Sequence, residues 1–411
     1  MPQHSPSPPR HPPFAPTLPL SYGDRVTTTA EKPSWAAEAA GATADLGVLV
    51  PISVALIVLN GLSATAVMLP AAFLYLVVAR IYALPIAVQP LKAFGAIAIA
   101  AGADADVIAA GALMMGVMFT LAGVTGTVDA IARWIPVAVV RGVQLTVAIL
   151  LAKVAWNLVL NTPSNFSNQL PTSWSAVITV ILLVLLWFLR GKLSLLTVGA
   201  AIVAMGVAVA VEGNVAFGPS AVTLPSLTAA DFAAAATLLV LPQLPLTFAN
   251  SCLGPADAAR TYFGDAARRV TPGRLAASLG IANIVAAGMS GMPVCHGAGG
   301  LSAHVAFGAR TWRAPAFMGV ALLVAALGFG ALLATALPAF PIAVLAALLG
   351  VAAITHALLL RDMRAPTDWL VVLVVAALGI TANLAYGVLA GLVIARLARR
   401  GSSAALPHTV A

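Results

Sequence analysis

The run Gly291-Met292-Pro293-Val294-Cys295-His296-Gly297-Ala298-Gly299-Gly300 interrupts a long apolar stretch with glycines, a proline, a thiol and an imidazole. The chemistry this run offers belongs to the backbone. An extended piece followed by a helix start leaves unpaired N–H groups and the positive end of a helix dipole facing the break. Such an end receives anions without adding net charge, and glycines let a ligand come close to the main chain. The expected donors run from Cys295 and His296 through Gly297 and Ala298 to Gly299 and Gly300. Tight helix packing is the competing reason for Gly299 and Gly300.

A second break has the same logic: Leu84-Pro85-Ile86-Ala87-Val88-Gln89-Pro90-Leu91-Lys92. Proline pushes its predecessor out of the α region, so Pro85 and Pro90 bracket an extended run. Pro90 also suits the first turn of the helix that follows. Two short strands, one from each break, would satisfy each other's backbone and aim both helix starts at one point. Lys92 would then sit at a helix start, where its charge makes sense with an anion between; snorkelling to an interface is the alternative. Only Lys92 and Lys153 are left off the basic side of the membrane in this reading, and Lys153 is expected to snorkel to the opposite face. Asp45 has three candidate roles: pairing with Lys92, carrying a coupling proton, or capping the first span. Gln89 and Gln243 interrupt apolar sequence near prolines and read as ligands or as helix–helix hydrogen bonds, with Thr247 one turn beyond Gln243.

Other chemistries fit poorly. Cys295 and His296 are adjacent and have no further cluster, so no four-coordinate metal site is expected, and no cofactor. His304 and His356 read as packing or interfacial residues. His296-Gly297-Ala298-Gly299 lacks a nucleophile-elbow serine, and no Gly-Lys-Ser/Thr follows the glycines as a phosphate loop requires. The chain therefore reads as a non-enzyme.

The elements that position these residues follow from composition. Of 411 residues, 61% are hydrophobic and 8% charged, which suits an all-α polytopic membrane protein and leaves too little charge to solvate a soluble surface. Apolar segments fall at 44–60, 63–82, 90–102, 105–126, 137–159, 174–190, 193–211, 231–250, 273–289, 296–308, 313–335, 338–357, 367–382 and 384–399, those at 90 and 296 being half-helices. Alternate connections collect Arg80, Arg133, Arg190, Arg260, Arg274, Arg310 and Arg361, while the others hold no Lys or Arg. By the positive-inside rule the net charge of +8 marks a cytoplasmic membrane face, not nucleic-acid binding. Fourteen crossings follow, with both termini inside and an inner-membrane (plasma-membrane) location. The expected partners are the lipid bilayer and a small inorganic anion.

Residues 1–40 read as a disordered cytoplasmic tail, rich in Pro, Ser and Thr, and 401–411 as a short C-terminal tail. A polar connection at 212–230 separates 41–211 from 231–400, each with seven segments of which the third is short. An odd number of spans forces the second half to insert upside down, and matching interruptions in inverted halves point to a midplane binding site. The function this supports is secondary transport of a small oxyanion, against an anion channel or a non-transporting sensor.

These residues resemble a known family. Met292-Pro293-Val294-Cys295-His296-Gly297-Ala298-Gly299-Gly300-Leu301 with Phe307-Gly308-Ala309-Arg310 is similar to the signature of the molybdate transporter family, a branch of the sulfate permease-like superfamily. Asp45-Leu46-Gly47, Val88-Gln89-Pro90-Leu91-Lys92, the run from Ile135 to Leu145, and Gln243-Leu244-Pro245-Leu246-Thr247 agree. The resemblance implies two inverted seven-segment repeats, a core domain moving against a gate domain, and molybdate held between the third and tenth segments, with sulfate and tungstate as close chemical relatives and a sulfate transporter on the same scaffold as the nearest alternative. It also makes a homodimer a candidate assembly. Val305-Ala306 departs from the family's aromatic-basic pair, and the soluble C-terminal domain of sulfate permeases is not expected.

Overall fold

The computed structural model describes residues 33–167, 169–188 and 215–404, with isolated positions between 199 and 206. Most of the expected N-terminal tail and most of the expected segment 193–211 lie outside the described residues.

The first helix, α1 (Trp35–Leu59), begins earlier than the apolar pattern predicts. Ser34 caps it, its Oγ accepting from the Ala37 N–H at 3.2 Å. The acidic first turn is what hid this start, because Glu38 looks like tail yet is fully buried. Its carboxylate accepts from the N–H groups of Arg310 and Thr311 and from the Thr311 hydroxyl. Asp45 consequently lies inside α1, in a 3-10 turn at Thr43–Asp45, and caps nothing.

From α2 (Ala64–Ile81) the chain passes through Ala83, held at φ 56, into strand β1 (Val88–Pro90) and then α3 (Lys92–Ala101). Helices α4 (Ala105–Thr125), α5 (Val137–Leu160) and α6 (Thr172–Phe188) follow. The long run α7 (Ala229–Arg269) contains two π-helical stretches, Ala236–Val240 and Thr247–Leu253. The first break's sequence of events then recurs: α8 (Pro272–Gly288), Ser290 at φ 49, strand β2 (Val294–His296), and α9 (Ala298–Ala306). The chain ends with α10 (Arg313–Gly328 and Gly330–Ala339, bent by 77°), α11 (Ile342–Asp362), α12 (Pro366–Leu378) and α13 (Leu384–Ala404). Helical hydrogen bonding runs unbroken from α12 through a π turn into α13. The two nevertheless fold back on each other, with Gly387 against the Val375 carbonyl and Gly391 against Val371 and Val375.

Seven helical runs among the described residues are long and apolar enough to cross a bilayer, or eight with the bent α10 as one span. Two packing groups emerge. In one, α8 lies on α4 and α2, and α10 lies on α2; in the other, α11 and α12 lie on α5, α6 on α11, and α13 on α12. Helix α3 touches α5 and α1 touches α11 where the groups meet.

The α4–α8 contact shows how the first group closes. A Cβ on Gly116 would stand 2.8 Å from the Ile284 N, and one on Gly280 would strike the Thr120 N–H. The two backbones approach as closely as their glycines allow, the usual solution where lipid supplies no hydrophobic drive. Gly280→Val should destabilise this contact by about 1–3 kcal/mol, read as a lower melting temperature in detergent. Gly288→Val, where a Cβ meets nothing within 4 Å, should leave the melting temperature almost unchanged.

Candidate anion site between two broken helices

Strands β1 and β2 pair antiparallel, Val88 opposite His296, Gln89 opposite Cys295 and Pro90 opposite Val294. All six residues are buried. A two-stranded sheet has two open edges, and unpaired backbone is costly inside a membrane protein. Side chains meet those edges. Asn283 from α8 donates to the Val294 carbonyl at 3.0 Å and accepts from the Val294 N–H at 2.7 Å. Tyr75 from α2 lies 2.9 Å from the Val88 carbonyl. The Leu91 N–H continues the pairing onto the Pro293 carbonyl.

Each short helix starts one residue after its strand. At α9 the cap position is Gly297 and no side chain caps the end, so the Ala298, Gly299 and Gly300 N–H groups have no acceptor within the helix. At α3 the cap position is Leu91, and Gln243 reaches in from α7: its Oε1 accepts from the Phe94 N–H at 2.9 Å. The free N–H groups of α3 are thereby reduced to those of Lys92 and Ala93. The opposite helix ends are satisfied. Gly102 closes α3 at φ 60, Asn60 donates to the Ala98 and Ala103 carbonyls at 3.0 Å each, and Arg310 donates to the Val305 carbonyl after α9.

The glycines divide sharply. A Cβ on Gly297 would collide with the Gln89 side-chain oxygen, and one on Gly300 would lie 2.6 Å from Gln89 Nε2 and 2.7 Å from Asp45 Oδ1. Both glycines are therefore required by packing. Gly299 is exposed and would meet nothing within 4 Å, so it is the glycine that faces open space beside the free N–H groups.

Several expected ligands are placed elsewhere by the structure. The His296 ring is wholly buried, its Nε2 2.9 Å from the Ser278 hydroxyl and its Nδ1 3.4 Å from the Ala87 carbonyl, with Tyr82 edge-on. Strand alternation turns it away from its neighbour Cys295, whose thiol points to the Pro90 carbonyl at 3.5 Å. Thr247 is hydrogen-bonded within α7, receiving from Gln243 Nε2 at 3.0 Å and donating to the Gln243 carbonyl. Gln243 is thus a cap for α3, with both ends of its amide occupied. Pro90 serves as strand backbone.

Asp45 does not pair with Lys92. Its carboxylate is buried against three other elements: Gln89 Nε2 donates to Oδ1 at 2.6 Å, the Tyr75 hydroxyl donates to Oδ2 at 2.5 Å, and His304 Nε2 stands 2.8 Å from Oδ2. The last contact has the separation of an ion pair but is poorly directed as a hydrogen bond. His304 Nδ1 lies 2.9 Å from the Pro85 carbonyl, an acceptor only, so that nitrogen carries a proton. The 2.8 Å approach of His304 Nε2 to Asp45 Oδ2 is the separation of an imidazolium–carboxylate pair. Sequence reading missed His304. The one available signal was its spacing, one turn beyond Gly300 on the face that packs against Gln89 and Asp45.

Lys92 is half-buried at the first position of α3 and makes no side-chain hydrogen bond or ion pair among the described residues. Arg141 is a third basic residue inside a span, which the loop-by-loop count overlooked. It is buried in α5 and clamps Asp362 at the end of α11 while donating to Gln144 Oε1 at 2.9 Å. Lys153 is exposed.

A site made of helix ends, a free lysine and buried polar strands suits a small anion. A family model described as "Molybdate transporter of MFS superfamily" matches residues 37–151 and 235–356, more than half of the chain and every residue of this site. The chain belongs to the molybdate transporter family. It is 28% identical over 397 residues to "Molybdate transporter 1" of Arabidopsis thaliana, covering 86% of each, and 27% identical to "Molybdate transporter 2" of the same plant, covering 89% of each. Among solved structures it shares its fold with the transmembrane domain of the cyanobacterial bicarbonate transporter BicA (TM-score 0.59, 16% identity, 88% of this chain and 97% of that one). The murine anion transporter Slc26a9 in its inward-facing state has the same fold (TM-score 0.65, 15% identity, 89% and 68%). The protein is thus an integral membrane anion transporter and not an enzyme.

Gly300→Val should lower the melting temperature in detergent, since its side chain must displace Gln89 or Asp45. Gly299→Ala should leave it within about 0.5 kcal/mol of the parent. The same logic makes Gly297→Leu a packing variant, unsuitable as a probe of anion contact.

Proposed function

We propose that this chain moves molybdate across the membrane by alternating access, with the anion seated against the starts of α3 and α9. The observation that carries this reading is two helix N-termini rooted in one buried sheet beside a lysine that makes no ion pair among the described residues. A tetrahedral dianion stripped of water needs several donors, and here the Lys92, Ala93, Ala298, Gly299 and Gly300 N–H groups with the Lys92 ammonium would supply them. Pro90, Gln89, Cys295 and Gln243 then build and hold the seat, and Thr247 and His296 support it from behind.

The wider architecture we infer is fourteen segments in two inverted repeats, 41–211 and 231–400, joined at 212–230. The recurrence of helix, left-handed residue, strand and short helix in both halves supports it. The packing group of α2, α4, α8 and α10 would be the core that carries the seat, and that of α5, α6, α11, α12 and α13 the gate. Basic connections argue for a cytoplasmic location of both termini in a bacterial-type inner membrane. Asp45 is the proposed proton carrier, and a homodimer the proposed assembly.

Uptake of labelled molybdate into proteoliposomes, with sulfate as competitor and an imposed pH gradient, tests this. Lys92→Met should weaken uptake about ten- to a hundredfold, the worth of one charge-assisted bond, while the protein stays folded. Unchanged uptake by that variant would remove the seat from the ends of α3 and α9. Steady anion current without coupling would indicate a channel, and binding without uptake a sensor.

A further inference from the structure

The carboxamide of Gln89 has one end bonded and one end idle. Its Nε2 donates to Asp45 Oδ1 at 2.6 Å, which fixes the orientation of the amide, because a carboxylate accepts only. Its Oε1 is buried and has no hydrogen-bond partner. That oxygen lies against Gly297, at the cap position of α9, where an added Cβ would strike it. Gln89 therefore turns a negative pole toward the helix start that the proposed function assigns to the anion. A buried acceptor left unpaired is unfavourable, and the helix dipole compensates it only while no anion is present.

We propose that Gln89 couples protonation of the Asp45–His304 pair to anion binding by reversing its carboxamide. This deepens the reading above and rests on it. With the dianion's charge at the start of α9, uptake of one proton from solution at Asp45 Oδ1 turns that oxygen from acceptor to donor. The Nε2–H bond to Oδ1 is lost, and an Oδ1–H bond to Gln89 Oε1 takes its place. The amide NH2 then faces Gly297 and the start of α9. In that orientation the amide repels the bare helix end and attracts a dianion, so proton and anion each strengthen the other's binding, as linkage requires. The contact between His304 Nε2 and Asp45 Oδ2 is not broken in this step.

Other titratable groups surround the pair. Tyr75 on α2 is a donor to Asp45, and Glu38 on α1 is held by Arg310 and Thr311. Lys92 on α3 and Cys295 on β2 are within electrostatic reach. Tyr262 on α7 is bonded to Ser302, and His296 is bonded to Ser278. None of these touches Gln89 Oε1, so a variant at Gln89 isolates the amide from them.

The test is equilibrium binding of labelled molybdate to the purified full chain in lipid nanodiscs between pH 5.5 and 8.5. The parent Kd should rise by up to about tenfold per pH unit on the alkaline side, the limit for one linked proton. Gln89→Leu should still bind but with a Kd that changes less than about threefold across the range. Asp45→Asn, whose own amide donates to Oε1, should hold the low-pH affinity of the parent at every pH. Asp45→Asn also serves if Gln89→Leu does not fold, since an affinity fixed at the parent's high-pH value would overturn the proposal. A Gln89→Leu slope equal to the parent's would do the same. A parent that binds no molybdate at any pH would instead defeat the proposed function, and this inference with it.

Discussion

Backbone polar groups buried in the middle of this protein have to be paired, and the β1–β2 contact is where that requirement is met. Neither broken segment can stay at membrane depth alone, because each carries an extended stretch whose N–H and C=O groups lack a helical partner. Pairing them satisfies the inner edges, and Asn283 covers the Val294 N–H and C=O on an outer one. The consequence is functional. The strands close by using up their own donors, and the helices that leave them start with donors still free. The same break that is costly in lipid is thus the place proposed for the anion.

Charge in this interior is arranged in two layers around that contact. On one side Asp45, His304, Tyr75 and Gln89 form a closed cluster in which the carboxylate accepts everything offered to it. On the other, Lys92 at the start of α3 makes no ion pair among the described residues. Only Gln89 belongs to both, since it sits on the strand that leads to Lys92 and its amide reaches Asp45. Arg141 and Asp362 form a separate pair that ties α5 to the end of α11, far along the chain from the strands. Keeping the Asp45 carboxylate occupied by donors, instead of by Lys92, leaves the lysine available to a guest. A carboxylate paired with Lys92 would have cancelled the attraction the site depends on.

Much of the site was readable from residue types because lipid punishes exceptions. Two proline- and glycine-bearing interruptions in apolar sequence had few possible meanings, and both proved to be a strand followed by a short helix at the expected positions. Lys92 fell at the helix start for the same reason. The roles of side chains were less legible. His296 looked like a ligand by adjacency to the glycines, yet strand alternation turned it toward Ser278 and Tyr82. Gln243 looked like a ligand or a helix contact, and it caps α3 across a gap of 149 positions in sequence. Glu38 read as solvated tail because nothing nearby in sequence shows that Arg310 and Thr311 will meet it.

What the sequence determined by itself is therefore the membrane class, the two breaks, their strand-then-helix form and the family, since each rests on local composition or on a contiguous motif. What only the tertiary structure decided is which groups face one another. Gly299 opens to free space while Gly297 and Gly300 are locked against Gln89 and Asp45, and His304 pairs with a carboxylate 259 positions away. Those outcomes depend on the rotation of one short helix against strands drawn from the other half of the chain. No local pattern encodes that rotation, because the contacts that set it are made only when the two breaks meet.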